Sequence, residues 1–408
     1  MSTPTPVRLP LLGLAYLGFI SLGLPDGLLG VGWPSIRTDL GVPTEAVGVL
    51  LAVFTAGYLL SSVSAGFAIA RLGVGRLLAG STAAASLALT GYAAAPWLAM
   101  MVGCAVLLGL GSGAIDSGLN AYAAGSFGAR HMNWLHASFG LGATIGPVVM
   151  TSVLAAGLSW RWGYGVVAGG QALLAVAFAG SAGRWALRGT DRPAESRGPR
   201  PTVRATLSLP AVWLGAAAFA VYTAIEVAAG LWAYLLLTEG RGVSGPVAGV
   251  CVAAYWGSLF AGRLVLGMVA ERLGSRRVLA VSLAGIAGGA LLIAVPAPAA
   301  AAVAGLVLIG GAAAPVFPLL MLTTSDRVGQ RHADRAVGVQ VGAAALGGAV
   351  LPATIGVLMA RFGVETLGPA LLVLASLLLA TYLAPALRRA TVDPGRARRA
   401  GDPPTGRV

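Results

Sequence analysis

The amino-acid sequence predicts an all-α membrane protein with twelve spanning helices in two pseudo-symmetric six-helix halves. Three observations predict this fold: the composition, the spacing of polar breaks and an internal repeat. Of the 408 residues, 57% are hydrophobic and only 10% are charged, and the mean hydropathy is +0.83. Soluble domains carry about 25% charged residues, so the apolar surplus is expected to face lipid. Secreted, disordered and nucleic-acid-binding classes fit this composition poorly.

Apolar runs of about 20 residues, the length that crosses a bilayer, recur between turn and charge signals. The first run continues past Asp26, which favours a spanning helix over a cleaved signal peptide. The chain then divides into an N-terminal half (1–183), a polar central loop (184–209), a C-terminal half (210–387) and a tail expected to be disordered (388–408). The predicted helices comprise about residues 9–35, 46–69, 76–95, 98–124, 132–157, 162–183, 210–237, 245–270, 277–295, 299–323, 336–360 and 366–386.

The arginines predict the orientation of the chain in the membrane. All 27 basic residues are Arg, and placing both termini on one side puts 22 of them there and four on the other. Only Arg263 remains, inside a predicted helix. Because cytoplasmic loops carry the excess of basic residues, we expect an inner-membrane protein with both termini in the cytoplasm. The net charge of +13 is attributed to this bias.

An internal repeat supports the two halves. Gly66 and the run 71–76 (Arg-Leu-Gly-Val-Gly-Arg) reappear 201 residues later as Gly267 and the run 272–277 (Arg-Leu-Gly-Ser-Arg-Arg). A second echo relates residues 142–147 to 347–352 at an offset of 205. Two similar offsets indicate a duplicated six-helix unit.

With the helix count, these residues resemble the major facilitator superfamily over essentially the whole chain. The resemblance implies secondary transport by alternating access, with the repeated turn acting as a gating motif. The second copy matches the family better, because the first has Ala70 where the family has an acid. The implied gating residues are Gly66, Arg71, Gly73 and Arg76 in the first copy, and Gly267, Glu271, Arg272, Gly274 and Arg277 in the second.

Shorter patches resemble the fucose-type sugar:proton symporters of that superfamily. They are Asp26 in the first helix, Asp116 four residues before Asn120 in the fourth, and the run 133–136 (Asn-Trp-Leu-His) that leads into Gly142. The sugar symporters carry Gln where this chain has His136. This resemblance implies proton-coupled transport of a sugar.

The residues themselves point to the same chemistry. A charged side chain in mid-membrane costs about 2.5 to 3.5 kcal/mol, so intramembrane acids are functional by default. Three acids lie deep in predicted helices: Asp26, Asp116 and Glu226. Helical rise puts Asp26 and Asp116 near mid-bilayer, where they can share a cavity and carry the coupling proton. Two alternatives remain: Asp26, which follows Pro25, could cap a kinked helix, and Glu226 could pair with Arg263.

Neutral polar and aromatic side chains suggest a hydroxyl-rich ligand. Asn120, His136 and Gln340 offer donors and acceptors, Glu226 is a further ligand candidate, and Trp232 could stack on a sugar ring. Interhelical hydrogen bonding and packing are the alternatives for these residues. The run 142–147 also resembles part of the helix-five motif of facilitator antiporters, which implies an alternative function, a proton-coupled antiporter that exports drugs or metabolites.

No enzyme, cofactor or metal is expected. The sequence lacks hydrolase, metalloprotease and nucleotide-binding motifs, its three His are scattered, and its two Cys lie far apart inside apolar runs. The expected partners are a small-molecule substrate, protons and the lipid bilayer, with no nucleic acid, and the chain is expected to act as a monomer.

Overall fold

The computed structural model describes residues 9–127, 129–185 and 201–392, and this part of the chain is helical without strands. Twelve of its helices are long and apolar enough to cross a membrane, as the sequence predicts. They are α1 (Leu9–Leu40), α2 (Val47–Leu72), α3 (Val74–Ala94), α4 (Leu98–Ser126), α5 (Ala129–Ala155), α6 (Trp160–Ser181), α7 (Pro210–Leu235), α8 (Gly245–Leu273), α9 (Ser275–Ala294), α10 (Ala299–Ala313 and Val316–Leu322), α11 (Gln330–Phe362) and α12 (Leu367–Val392).

Some boundaries differ from those predicted. The central segment 184–209 contains a short helix, Val203–Leu207, and its residues 186–200 lie outside the described part. The final helix continues to Val392, beyond its predicted end at about residue 386. Leu387, the two following Arg and Ala390 are good helix formers, which explains the extension. Residues 393–408 lie outside the described part.

Helix α10 is broken where the sequence predicts a continuous helix. A turn at Ala314 and Pro315 separates its two segments. Pro315 has no N–H to donate to the carbonyl of Gly311, and Pro318 has none for that of Ala314. The break therefore leaves backbone carbonyls without helical partners at mid-membrane depth.

Helix α1, in contrast, runs unbroken through Pro25. Pro25 cannot donate to the carbonyl of Ser21 four residues earlier. The side-chain amide of Gln171 in α6 donates to that carbonyl instead, at 3.1 Å. Asp26 consequently lies inside a continuous helix and does not cap a second one.

Equivalent helices approach each other at equivalent glycines in the two halves. A Cβ on Gly142 in α5 would lie 1.9 Å from the carbonyl oxygen of Ile20 in α1. A Cβ on Gly347 in α11 would lie 2.3 Å from the carbonyl oxygen of Ala220 in α7. The repeat read from the sequence therefore corresponds to a repeated helix contact, which only glycine permits.

The two ends of the bundle differ in which connections they carry. The linker face is the end where α6 finishes and α7 begins, and the opposite face is the other end. At the opposite face, one Arg braces each half. Arg161 pairs with Asp39 and donates to the carbonyl of Ala95 at 2.8 Å. Arg241 pairs with Glu365 at 2.8 Å and donates to the carbonyl of Ile293 at the end of α9 and to that of Val295 in the loop after it.

The halves are in contact toward the opposite face. Arg37 at the end of α1 pairs with Glu239 after α7, with Nη2 and Oε1 2.5 Å apart. These residues are 202 positions apart, so they occupy equivalent places in the two halves. A Cβ on Gly30 would lie 2.7 Å from the carbonyl oxygen of Gly230, which shows how closely α1 and α7 approach. The opposite face is closed in this conformation.

Candidate functional site

Asp116 is held by two hydrogen-bond donors from the N-terminal half. Tyr58 Oη in α2 donates to Asp116 Oδ2 at 2.7 Å, and Asn120 Nδ2, one turn along α4, donates to Oδ1 at 3.0 Å. Gly113 makes this possible, because a Cβ there would lie 2.4 Å from the carbonyl oxygen of Tyr58. These two hydrogen bonds hold both carboxyl oxygens of Asp116 in place.

His136 in α5 adjoins this group. Its side chain is exposed although it lies in a membrane-spanning segment, and it interacts electrostatically with Asp116. The ring packs edge-on against Phe19, with ring centroids 5.2 Å apart. It also lies within electrostatic range of Arg263 in α8, which belongs to the other half. His136 therefore faces the space between the halves.

Asp26 faces the other half from α1. It lies one turn before Gly30, and Glu226 lies one turn before Gly230, on helices that run in the same direction. The Gly30–Gly230 contact consequently sets the two acids at about the same depth. Asp26 is exposed and interacts electrostatically with Glu226. At an offset of 200 residues, the two acids occupy equivalent positions in the duplicated fold.

Glu226 is bound by its own half. Arg263 Nη2 donates to Glu226 Oε1 at 3.2 Å, and the hydroxyl of Tyr222 contacts Oε2. The same hydroxyl lies 3.1 Å from the carbonyl oxygen of Ala313, at the break in α10. Tyr255 donates to the backbone carbonyl of Glu226 at 2.7 Å. Of the two readings that the sequence leaves open for Glu226, the ion pair with Arg263 is present.

These groups form one structure, which we call the charge belt: Asp26, Glu226, Arg263, His136 and Asp116. Its members come from α1, α7, α8, α5 and α4, so both halves contribute. Neighbours along the belt interact electrostatically or by hydrogen bonds. The belt lies on the linker-face side of the closed contacts, where Asp26 and His136 are exposed. Polar side chains of both halves therefore lie at this depth between the halves, and we call the space next to the exposed Asp26 and His136 the cavity.

Two predicted ligand residues lie away from this cavity. Trp232 has no exposed surface, and its indole N–H donates to the carbonyl of Pro352 at 3.0 Å. Gln340 is 2% exposed and accepts a hydrogen bond from Thr324 at 2.8 Å. Both side chains hold helices of the C-terminal half together, because buried polar groups need partners. The side chain of Asn133 lies outside the described residues.

The repeated turn has the same backbone in both halves. Gly73 and Gly274 adopt φ angles of +75° and +82°, which other residues rarely adopt. In the first copy, the Arg71 guanidinium lies over the Phe67 ring at 4.0 Å, and Gly66 and Arg76 are exposed. In the second copy, the surroundings of Gly267 and the side chains of Glu271 and Arg272 lie outside what the structure describes.

Arg277 of the second copy lines a different feature. It borders a largely apolar groove of about 1280 Å³ between α8, α9 and α10. None of the charge-belt residues lines this groove. The groove is therefore separate from the candidate site.

Sequence reasoning did not select Tyr58, and it considered Tyr222 only as an aromatic that could stack on a sugar. Each hydroxyl contacts a carboxyl group in a spanning helix. For Tyr222 a signal was present, because it precedes Glu226 by four residues and so shares its helix face. For Tyr58 the weaker signal was a single tyrosine in a helix of mostly apolar residues.

Comparison with known proteins identifies the family. A family model described as Major Facilitator Superfamily matches residues 15–352 and, in a second match, 214–406. The chain belongs to the Major Facilitator Superfamily. A comparison with curated proteins finds no match. The family and its solved neighbours are transporters, and the chain is accordingly a multi-pass membrane protein.

Three solved structures show the same fold at low identity. The nucleoside transporter NupG is 14% identical with a TM-score of 0.66, covering 93% of this chain and 98% of its own. The peptide transporter POT in complex with sulfate is 16% identical with a TM-score of 0.73, covering 95% and 97%. A variant of the Escherichia coli fucose:proton symporter FucP is 13% identical with a TM-score of 0.63, covering 92% and 98%. Such identities establish the fold and leave the substrate open.

Proposed function

We propose that this transporter moves a small hydroxylated solute, a sugar or a close relative, together with protons by alternating access. The charge belt is the observation that carries the proposal. It places three carboxyl groups and two basic side chains of both halves around one cavity in the middle of a membrane protein. Such groups are retained in membranes mainly where they bind ions or solutes.

The two acids of the N-terminal half have different surroundings, which supports different roles. Asp116 receives hydrogen bonds from Tyr58 and Asn120, so its carboxylate is stabilised as an acceptor for solute hydroxyls. Asp26 interacts electrostatically with Glu226, and two carboxylates repel each other unless one carries a proton. Asp26 is therefore the proposed carrier of the coupling proton, and Asp116 the acceptor of the solute.

The arginine distribution supports a cytoplasmic linker face and an inner-membrane location. With that orientation, the conformation described is open toward the cytoplasm. Separation of Arg37 from Glu239 and of α1 from α7 would open the cavity to the outside. The halves can move as bodies, because each is braced separately by Arg161 or Arg241.

Uptake into proteoliposomes with an imposed pH gradient tests the proposal. We expect labelled neutral and acidic sugars to accumulate on the alkaline side in symport. Export of lipophilic cations toward the acidic side would support the alternative, a drug or metabolite antiporter. A belt of five titratable or charged groups favours the polar solute over the lipophilic one. Accumulation that ignores the pH gradient would refute proton coupling.

A further inference from the structure

The seam between α5 and α8 brings two basic side chains together. A Cβ on Gly140 in α5 would lie 3.4 Å from the Cα of Phe260 in α8, so the helices are in contact there. The two helices run in opposite directions. One turn from this contact toward the linker face, α5 carries His136 and α8 carries Arg263. The two side chains interact electrostatically, although they belong to different halves.

Both side chains have hydrogen-bond donors available to a ligand. Among the described residues, no hydrogen-bond partner is present for the His136 ring, which is exposed to the cavity. Arg263 donates to Glu226 Oε1 through Nη2 and is also hydrogen-bonded to the Tyr222 side chain, and a guanidinium has five N–H donors in a planar fork. A fork of this kind suits a carboxylate or phosphate group. The acceptor Asp116, with Asn120, adjoins the same seam through His136.

From this arrangement we infer that the transported solute is a sugar acid, a polyol with one carboxylate. Its carboxylate binds between Arg263 and His136, and its hydroxyls bind Asp116 and Asn120. Arg263 keeps its contact with Glu226, so the basic group stays paired when the cavity is empty. This inference rests on the proposed function and names its substrate class.

The charges of the belt are consistent with an anion that travels with a proton. The belt contains three carboxyl groups, one guanidinium and one imidazole, so an added carboxylate increases the negative charge. Protonation of Asp26, which faces Glu226, offsets that increase, and the residues around it from α2 and α6, Tyr58 and Tyr164, are uncharged hydroxyls. A neutral sum of solute and proton lowers the cost of moving an anion through the membrane.

Equilibrium binding to purified protein in detergent tests the inference without any gradient. The probes are matched pairs that differ mainly in the carboxylate: D-glucuronate against D-glucose, and D-gluconate against D-glucitol. We expect the acid of at least one pair to bind at least tenfold more tightly than its neutral partner. Neutral partners that bind as tightly as the acids, or more tightly, would overturn the inference.

Variants of the Arg263–Glu226 ion pair test whether Arg263 binds the carboxylate of the solute. Arg263→Gln should remove the preference for the acid, and Arg263→Lys should restore part of it, because the charge returns without the fork. If Arg263→Gln does not fold because Glu226 is left unpaired, the double variant Glu226→Gln with Arg263→Gln supplies a neutral, hydrogen-bonding pair. The same loss of preference is expected there. Retention of the acid preference in the double variant would overturn the inference.

A control variant and a transport assay distinguish failure of the sugar-acid inference from failure of the proposed function. Arg361→Gln removes an exposed arginine at the opposite face, and the acid preference should be unchanged. Uphill movement of neutral sugars without binding of the acids would overturn the sugar-acid inference and leave the proposed function intact. Tight binding of an acid without proton-driven accumulation would refute the proposed proton coupling and leave the sugar-acid inference intact.

Discussion

The contact between α1 and α7 provides a steric test of alternating access. Gly30→Ala adds a Cβ that would lie 2.7 Å from the carbonyl oxygen of Gly230 and 3.3 Å from the Cα of Leu231. Overpacking of this kind costs about 1 to 3 kcal/mol. This cost applies only while the opposite face is closed. The variant should therefore raise the equilibrium constant for opening of that face by about 5- to 150-fold. Gly13→Ala on the same helix is the matched control, because nothing lies within 4 Å of its Cβ.

Distance measurements between spin labels at the opposite face would detect this shift. Labels at Leu158 in the N-terminal half and Phe362 in the C-terminal half are both exposed, and Cys104 and Cys251 are first replaced by Ser. We expect a longer distance to gain population in Gly30→Ala and to remain rare in Gly13→Ala. Identical distance distributions in the two variants would refute the reasoning, since they differ in this contact alone.

Three further predictions follow from single contacts. Asp26→Asn should abolish uphill uptake in a pH-gradient assay while exchange of solute at equal pH persists; preserved accumulation would exclude Asp26 as the proton carrier. Tyr58→Phe removes a hydrogen bond to a carboxylate, worth about 1.5 to 3 kcal/mol, and should weaken solute binding about tenfold or more in equilibrium titrations. Glu239→Gln breaks a pair whose side chains are 25% and 44% exposed, worth about 0.2 to 1 kcal/mol, so the label distances should change less than with Gly30→Ala. A larger change would mean that the ion pair, and not the helix contact, holds the face closed.

The parts of the fold that follow from periodicity could be predicted from the sequence. Twelve apolar runs gave twelve helices, and the repeated glycine turn gave two halves with matching backbone at Gly73 and Gly274. The sequence analysis did not predict the break in α10, although Pro315 and Pro318 lie at that position. Proline is tolerated in spanning helices when other groups satisfy the freed carbonyls, as Gln171 does at Pro25, so proline alone does not decide.

The candidate site was only partly predictable, for reasons of packing. Asp116 and Asn120 could be paired from their four-residue spacing, which places both on one helix face. Trp232 was expected at a ligand, and its indole instead satisfies the carbonyl of Pro352 within the core. The approach of Asp26 to Glu226 depends on how α1 and α7 rotate against each other. The separation of 200 residues between the two acids is close to the offset of the repeat, but it gives no information about contact.

The central claim is that proton and solute bind one site in one cycle, and its most direct test is linkage. The measurement is the dissociation constant of the accumulated solute as a function of pH, in wild type and in Asp26→Asn. Reciprocity requires that a proton which strengthens solute binding is itself bound more tightly when the solute is present. We predict that the dissociation constant of the wild type rises about tenfold per pH unit above the midpoint of proton binding. Asp26→Asn should remove this dependence. A wild-type constant independent of pH, or the same slope in Asp26→Asn, would contradict the account.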